Sequence, residues 1–153
     1  MRITFICVGR LSREYSAVWG HYERLIRPYT TLEVLEVPET PLSMGVDHVK
    51  AKEGGSISSL SRPGAFRVAL DGGGREFGSQ ELSGFLAERK VQGVNHFQFI
   101  LGGAVGLDRT VLEGAELIWS LSALTFPHQL ARVIVLEQLY RAIRIERGEP
   151  YHH

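Results

Sequence analysis

The sequence predicts an α/β protein with a mainly parallel sheet, and three observations support this fold class. Short apolar runs alternate with segments of helical periodicity along the whole chain, which is typical of parallel strands covered by helices on both faces. The first run, Arg2–Val8, is apolar on both of its faces, as in a buried parallel strand. The length of 153 residues fits one domain, residues 1–153.

A helix, an outer strand and a second helix are predicted after this first strand. Ser12 is a suitable N-cap for a helix that runs through Ile26. Residues 32–37 alternate less cleanly between apolar and acidic side chains, as expected of an outer strand. A helix is predicted over Val46–Leu60, but it contains the pair Gly54–Gly55, and each mid-helix glycine costs about 1 kcal/mol relative to alanine. We therefore expect this helix to be the mobile part.

Three more strands follow, and two of them end in glycines. Residues 66–70 form the third strand, which stops at an Asp-Gly-Gly-Gly run. His96–Leu101 is the fourth strand, and the loop 102–106 after it reads Gly-Gly-Ala-Val-Gly. Residues 117–121 form the fifth strand. Two helices lie between these strands, one capped by Ser79 and running to about Lys90, the other capped by Asp108.

The last helix is predicted to start at about Pro127, because proline is tolerated in a first turn, and to stop at Gly148 and Pro150. Its surface is apolar almost all round, so the helix should be buried on most sides. Arg132 falls inside the apolar arc, where an unpaired guanidinium would be costly unless an anion or a second subunit meets it. That position is either an interface or a site.

Ligands of such sheets bind beyond the carboxyl ends of the strands. Three of these ends stand out, namely Leu70 with the glycines after it, the loop 102–106 and the segment 121–126. The last segment has no charge and alternates bulky with small residues, so its backbone can approach a flat ligand closely. The glycines match neither G-x-G-x-x-G nor G-x-x-x-x-G-K, which argues against a dinucleotide site and a P-loop. A simple tight turn remains the alternative for each glycine cluster.

Composition restricts the possible partners. Seventeen Lys and Arg balance seventeen Asp and Glu, so the chain has no overall basic field and any contact with a polyanion must be local.

The histidines lack metal-ligand spacing and no serine lies in G-x-S-x-G, so neither a metal nor hydrolysis is expected. The single cysteine, Cys7, suits a reducing compartment. The opening apolar run is too short to span a bilayer, so we expect a cytoplasmic protein without a membrane segment.

A known family shares the C-terminal pattern of this chain. The run S-L-S-A-L-T-F-P-H-Q-L-A-R-V-I-V-L-E-Q-L-Y-R-A, followed by P-Y-H-H at the terminus, closely resembles the ribosomal large-subunit RNA pseudouridine N3-methyltransferases of the small SPOUT class. The likeness covers essentially the whole chain, including the opening strand that ends in V-G and the G-G-x-x-G loop. It is most specific in the C-terminal block.

The resemblance implies a single-domain parallel-sheet SPOUT fold with a C-terminal trefoil knot. It further implies a homodimer that uses S-adenosyl-L-methionine, needs no metal, and methylates N3 of a pseudouridine in a 23S rRNA stem-loop near the decoding site, on the assembled ribosome. A SPOUT enzyme for transfer RNA and a non-catalytic dimeric RNA-binding module are the alternatives. The cofactor positions carried over from the family are Leu70, Gly102, Leu121, Ser122, Ala123, Leu124, Thr125 and Phe126.

With the resemblance, residues of the last helix and the tail become candidates for catalysis. His128 is the first candidate for contacting a flipped base, and a solvated histidine at a helix start is the alternative. Arg132 is expected to meet phosphate or the partner subunit, unless it is a snorkelling arginine. Glu137 and Arg141 are expected to form a pair that faces the site, rather than an ordinary surface pair.

The tail supplies the remaining candidates. Tyr151 and His152 would ordinarily belong to a disordered terminus. Their match to the family's terminal motif favours base stacking or binding of the acceptor.

Overall fold

The computed structural model describes residues 1–151 and contains a five-stranded parallel sheet in the order β2-β1-β4-β3-β5. The strands are β1 (Arg2–Val8), β2 (Thr31–Val37), β3 (Phe66–Arg75), β4 (His96–Leu101) and β5 (Leu117–Trp119). The α-helices are α1 (Arg13–Ile26), α2 (Val46–Leu60), α3 (Ser79–Val91), α4 (Arg109–Glu113) and α5 (His128–Glu146), and Leu42–Met44 forms a 3-10 turn. The predicted α/β class with a parallel sheet is confirmed, and β2 lies at an edge as expected. The trefoil knot stays a prediction.

Alternate residues of the strands build two cores, one on each face of the sheet. Phe5 and Phe99 belong to the core under α1, α3 and α5, and Ile6 and Ile100 belong to the core under α2 and α4. This division follows from the two-residue period of a strand, which turns successive side chains to opposite faces. The strands therefore have apolar residues on both faces, as the sequence indicated.

Helix α5 packs against both α1 and α3. Most of its apolar residues are buried, including Leu136 and Leu139, which confirms that it is covered on most sides. Polar contacts fix its position against α3, because the Ser79 hydroxyl donates to Gln138 Oε1 at 2.8 Å and the Ser83 hydroxyl donates to the Ala142 carbonyl at 2.7 Å.

One predicted N-cap was wrong by one residue, and the last helix starts one residue after the approximate position predicted for it. Ser79 is the first helical residue of α3 and Gly78 is the N-cap, since the Ser79 hydroxyl is used in the contact with α5. Pro127 is the N-cap of α5 with ψ 139°, so the helix starts at His128. Asp108 caps α4 as predicted, and its carboxylate accepts from the Thr110 amide at 3.3 Å.

The prediction that β3 ends at Leu70 was wrong. The strand continues through the glycine run to Arg75, and its register against β5 shifts, so that Leu70 and Arg75 both pair with Trp119. Gly74 explains why the chain can pass here, because a Cβ at this position would lie 2.5 Å from the Ile118 carbonyl. Glycine thus permits an irregular strand here.

The end of β5 also differs from the expectation. This strand stops at Trp119 and not at Leu121. The Ser120 amide donates to the Arg75 carbonyl at 2.9 Å, and the Ser120 hydroxyl donates to the Ser122 carbonyl at 3.1 Å. These bonds turn the chain out of the sheet, so residues 121–126 form a loop.

Helix α2 has the predicted bounds in spite of its two glycines. Gly54 is buried against the start of α4, where an added Cβ would lie 2.9 Å from Cβ of Asp108. Gly55 is exposed and a Cβ there would meet nothing within 4 Å. One glycine therefore allows close helix packing, whereas the other is not required by any contact.

Candidate functional site

A cavity of about 440 Å³ lies beside residues 70–72 of β3, at the carboxyl ends of β4 and β5 and beside the start of α5. Its volume is in the range of small-molecule sites, about 300–1,000 Å³. The three strand ends selected from the sequence converge on this cavity. Its lining includes every predicted cofactor position, namely Leu70, Gly102, Leu121, Ser122, Ala123, Leu124, Thr125 and Phe126.

The loop 121–126 is shaped by hydroxyl groups. Besides the bond from Ser120 to the Ser122 carbonyl, the hydroxyl oxygen of Ser122 accepts from the Leu124 amide at 3.0 Å. Serine hydroxyls commonly stabilise turns in this way. The Leu124 side chain is 72% exposed, which is unusual for leucine and leaves an apolar group at the cavity.

The glycine loop after β4 forms the opposite wall. The Gly106 amide donates to the Gly103 carbonyl at 3.1 Å, and Gly106 has φ +80°, in the region that favours glycine. A Cβ on Gly102 would lie 2.8 Å from the carbonyl carbon of Gly106. The two backbone segments can approach only because no side chain stands between them. On this side the cavity is therefore walled by backbone and glycines.

A buried carboxylate lies behind this wall. Glu53 on α2 is 5% exposed, and its Oε2 accepts from the Thr40 amide at 2.9 Å. Its Oε1 is buried without a hydrogen-bond partner and lies 3.8 Å from where a Cβ of Gly103 would be. Glu53 does not itself line the cavity, so this oxygen lies behind the glycine loop.

Of the predicted catalytic residues that the structure describes, His128 alone lines the cavity. Its Nε2 lies 3.6 Å from Oε1 of Glu39, and the two side chains are 30% and 60% exposed. Asp71 also lines the cavity, and its Oδ2 accepts from the Gly73 amide at 2.9 Å.

Sequence reasoning did not select Asp71 or Glu39. Glu39 lies two residues after the end of β2, and Asp71 directly follows Leu70, the predicted end of β3. The rule that ligands bind at strand ends would have identified both residues.

Arg132 pairs with a carboxylate of its own chain, and not with the phosphate or partner subunit named as its expected contacts. The residue is 5% exposed, and its guanidinium donates to Glu36 Oε2 at 3.0 Å and to the Gly9 carbonyl at 3.4 Å. The guanidinium carbon also lies 5.2 Å from the centre of the Trp19 ring. The positive charge of Arg132 within the apolar face of α5 is therefore balanced by Glu36 of β2. Arg132 does not line the cavity.

Glu137, Arg141 and Tyr151 form a second cluster, which we call the tail cluster. The Arg141 guanidinium donates to Glu137 Oε1 at 2.7 and 3.0 Å, and the Tyr151 hydroxyl donates to the same oxygen at 3.0 Å. Burial, together with the hydrogen bond to Glu137, raises the pKa of Tyr151. None of the three residues lines the cavity. His152 lies outside the described residues.

Residues 1–151 contain neither a cluster of metal ligands nor a membrane-spanning helix. In that range no group of three or more His, Cys, Asp or Glu side chains is placed to hold a metal ion. None of the helices there combines the length and the apolar character needed to cross a bilayer.

Comparison with known proteins gives consistent results. A family described as predicted SPOUT methyltransferase matches residues 1–152. Proteins named ribosomal RNA large subunit methyltransferase H are similar over the full length. The one from Moorella thermoacetica is 42% identical and covers 99% of both chains, and the one from Gloeobacter violaceus is 44% identical, covering 100% of this chain and 99% of the relative.

Solved structures share the fold. A probable methyltransferase from Bordetella pertussis has a TM-score of 0.58 at 18% identity and covers 93% of this chain and 94% of its own. A probable methylase family protein from Haemophilus influenzae has a TM-score of 0.55 at 13% identity, over 99% of this chain and 70% of its own. At such low identity these two likenesses concern the fold alone.

Proposed function

Because the chain belongs to the SPOUT methyltransferase family, we propose that it transfers a methyl group from S-adenosyl-L-methionine to N3 of a pseudouridine in 23S rRNA. The relatives at 42–44% identity carry names that specify large-subunit ribosomal RNA, which supports the choice of substrate. The observation that carries the proposal is the convergence of Leu70, Gly102 and the loop 121–126 on one cavity.

The cavity has the character that this cofactor requires. The glycine loop 102–106 and the loop 121–126 let a flat base approach the backbone closely. When bound, S-adenosyl-L-methionine supplies an electrophilic methyl group, so that the protein has to bind, orient and exclude water. Alignment of donor and acceptor contributes roughly 7 to 11 kcal/mol in favourable cases. In this proposal Leu70, Gly102 and the loop 121–126 hold the donor.

Contacts with RNA are expected to be local because the net charge is zero. Arg10, on the segment between β1 and α1, and Arg13, the first residue of α1, are both exposed. That segment adjoins the cavity, since Gln129 in the first turn of α5 donates to the Arg10 carbonyl at 2.6 Å. These arginines are placed to meet phosphates beside the acceptor nucleotide, as positioning contacts that do not read sequence.

A homodimer accounts for the separation between the cavity and the tail cluster. Glu137 lies nine residues after His128 on α5, about 14 Å along the helix axis at about 1.5 Å per residue. We propose that the tail cluster of one protomer meets the cavity of its partner, where Tyr151 stacks on or binds the acceptor base. An inactive Tyr151→Ala chain mixed with an inactive His128→Gln chain should then regain activity, whereas a site within one protomer would give none.

The direct test is transfer of a labelled methyl group to four acceptors: whole ribosomes, large subunits, free 23S rRNA and transfer RNA. We expect label in the ribosome, on N3 of one pseudouridine when the RNA is digested and analysed by mass spectrometry. Label in transfer RNA alone would replace the proposed substrate. Failure to bind S-adenosyl-L-methionine in calorimetry would favour a non-catalytic RNA-binding module.

A further inference from the structure

Methylation at N3 releases a proton, and few groups at the cavity can accept it. Of the described residues that line the cavity, Asp71 and His128 alone have side chains with a titratable carboxylate or imidazole. Imidazole is in general a stronger base than a carboxylate. The Asp71 carboxylate is, in addition, engaged by the Gly73 amide of its own loop. His128 is therefore the better proton acceptor of the two.

The tail cluster, in a dimer, offers Glu137 as a further carboxylate. Both of its oxygens are already occupied. Oε1 accepts from Arg141 and Tyr151, and Oε2 accepts from the Gln138 side chain at 2.7 Å. Glu137 is better suited to holding Arg141 and Tyr151 in place.

Glu39 lies beside the His128 ring, at a position that Gly9 allows. A Cβ on Gly9 would lie 2.8 Å from Oε1 of Glu39, so the carboxylate rests where a larger residue would exclude it. Gly9 is itself held by its amide, which donates to the Val37 carbonyl at 2.7 Å. The same Oε1 lies 3.6 Å from Nε2 of His128. A small rotation of either side chain would bring the two atoms into hydrogen-bond range.

The first turn of α5 is fixed against the same loop. The side chain of Gln129 accepts from the Ser12 amide at 2.8 Å and donates to the Arg10 carbonyl at 2.6 Å. His128 and Glu39 are therefore on segments that are tied to each other through the β1–α1 loop. This backbone framework keeps the two residues near each other, and their side-chain rotamers set the 3.6 Å between Oε1 and Nε2.

We propose that Glu39 is a positioning residue, which accepts a hydrogen bond from Nε2–H of His128 and so leaves Nδ1 as the nitrogen that takes the N3 proton. This inference rests on the proposed function. A carboxylate beside one ring nitrogen of histidine fixes the tautomer and the ring orientation. Sequence reasoning did not select Glu39, because 89 positions separate it from His128 in the chain.

The step balances without another reactant. The bond between N3 and the methyl carbon forms while the bond between that carbon and sulfur breaks. The electron pair of the broken bond stays on sulfur, which leaves as neutral S-adenosylhomocysteine. The N3 proton passes to Nδ1 of His128, and the resulting imidazolium faces the Glu39 carboxylate until the proton is lost to water. No metal ion or redox partner takes part in this balance.

The test compares Glu39→Ala, Glu39→Gln and His128→Gln with a matched surface control, Glu76→Ala. We expect Glu39→Ala to lower kcat about 10- to 100-fold, the range found for groups that orient metal-bound histidines. Glu39→Gln should lose less, because its amide oxygen can still accept from Nε2–H. The KM values for ribosomes and for S-adenosyl-L-methionine, and the Kd of S-adenosylhomocysteine, should stay within about twofold, as should all values for the control.

A second readout needs neither substrate nor cofactor. Two-bond ¹⁵N–¹H correlation spectra of labelled protein report which nitrogen of His128 carries the proton, across the pH range in which imidazoles titrate. We expect the Nε2–H tautomer in the wild type and a mixture of tautomers in Glu39→Ala.

The outcomes separate this inference from the proposed function. A Glu39→Ala variant with kcat within about twofold of wild type, or with an unchanged tautomer, would overturn the role of Glu39. An active His128→Gln variant together with an inactive Asp71→Asn variant would assign the proton to Asp71 and overturn the inference. A wild-type protein that binds the cofactor but methylates no ribosome would instead refute the proposed function.

Discussion

Replacement of Gly102 by alanine tests the wall of the cavity most directly. The new Cβ would lie 2.8 Å from the carbonyl carbon of Gly106, 3.0 Å from its oxygen and 3.2 Å from its Cα. All three neighbours are backbone atoms, so no side chain can rotate to make room. The loop 102–106 must shift as a whole, and the shift changes one of the three segments that define the cavity.

The size of the effect follows from the cost of overpacking. An extra methyl group in a close-packed site typically costs about 1 to 3 kcal/mol. If the loop relieves this strain by moving into the cavity, the cofactor has to reverse the movement when it binds. At 1.4 kcal/mol for each factor of ten, the Kd of S-adenosyl-L-methionine should rise about 5- to 150-fold. Isothermal titration calorimetry measures this change, and urea denaturation measures the stability of the same variant.

Gly55→Ala is the matched control, because it makes the same chemical change at a place where a Cβ meets nothing within 4 Å. This glycine is inside α2, so alanine should stabilise the protein by up to about 1 kcal/mol and leave the Kd unchanged. Binding of the cofactor by Gly102→Ala as tightly as by wild type would show that the close approach of Gly102 to Gly106 does not shape the cavity. Equal weakening of binding by both variants would show the same.

Three further predictions concern the ion pair on α5, the cysteine and the arginines beside the cavity. Glu36→Ala leaves the buried Arg132 without its carboxylate and should destabilise the protein by about 1.5 to 3 kcal/mol in urea denaturation. Arg132→Met should lower the free energy of unfolding by less, because it removes the buried charge as well. A larger loss for Arg132→Met than for Glu36→Ala would contradict the ion-pair argument. Burial raises the pKa of Cys7 to about 12 from 9.0, so a thiol reagent at neutral pH should label it only after unfolding. Rapid labelling of the native protein would show that the Cys7 thiol is not buried. Because the raised pKa belongs to the folded state, the contribution of Cys7 to stability is complete below pH 9.0 and is lost as the pH rises towards 12. The double change of Arg10 and Arg13 to glutamine should weaken ribosome binding and flatten its salt dependence, without changing the Kd of the cofactor in calorimetry, and an unchanged salt dependence would place the RNA elsewhere.

Local sequence predicted most of the fold because the relevant signals act over a few residues. The bounds of Arg2–Val8, Val46–Leu60 and His96–Leu101 in the structure are those predicted. Strand β3 was predicted too short because a glycine run usually ends a strand, whereas here Gly74 allows the strand to pass closely against β5. The mobility predicted for α2 stays a prediction.

The candidate site could be predicted in part. The rule for strand ends selected the three segments that line the cavity, and the resemblance supplied their expected ligand. The same reasoning placed the tail cluster in the site, although Glu137, Arg141 and Tyr151 lie outside the cavity of their own chain. Helical spacing shows which residues share a face of α5, but it does not show what each face meets.

The sequence by itself determined the strands and helices, the parallel sheet, and the likeness to a methyltransferase family, because periodicity, capping and motif are properties of neighbouring residues. The tertiary structure alone decided that Glu36 meets Arg132 at 3.0 Å and that Glu39 lies 3.6 Å from His128. These partners are about ninety or more positions apart in the chain. Their meeting depends on how β1, β2 and α5 pack together, and no local pattern records that arrangement.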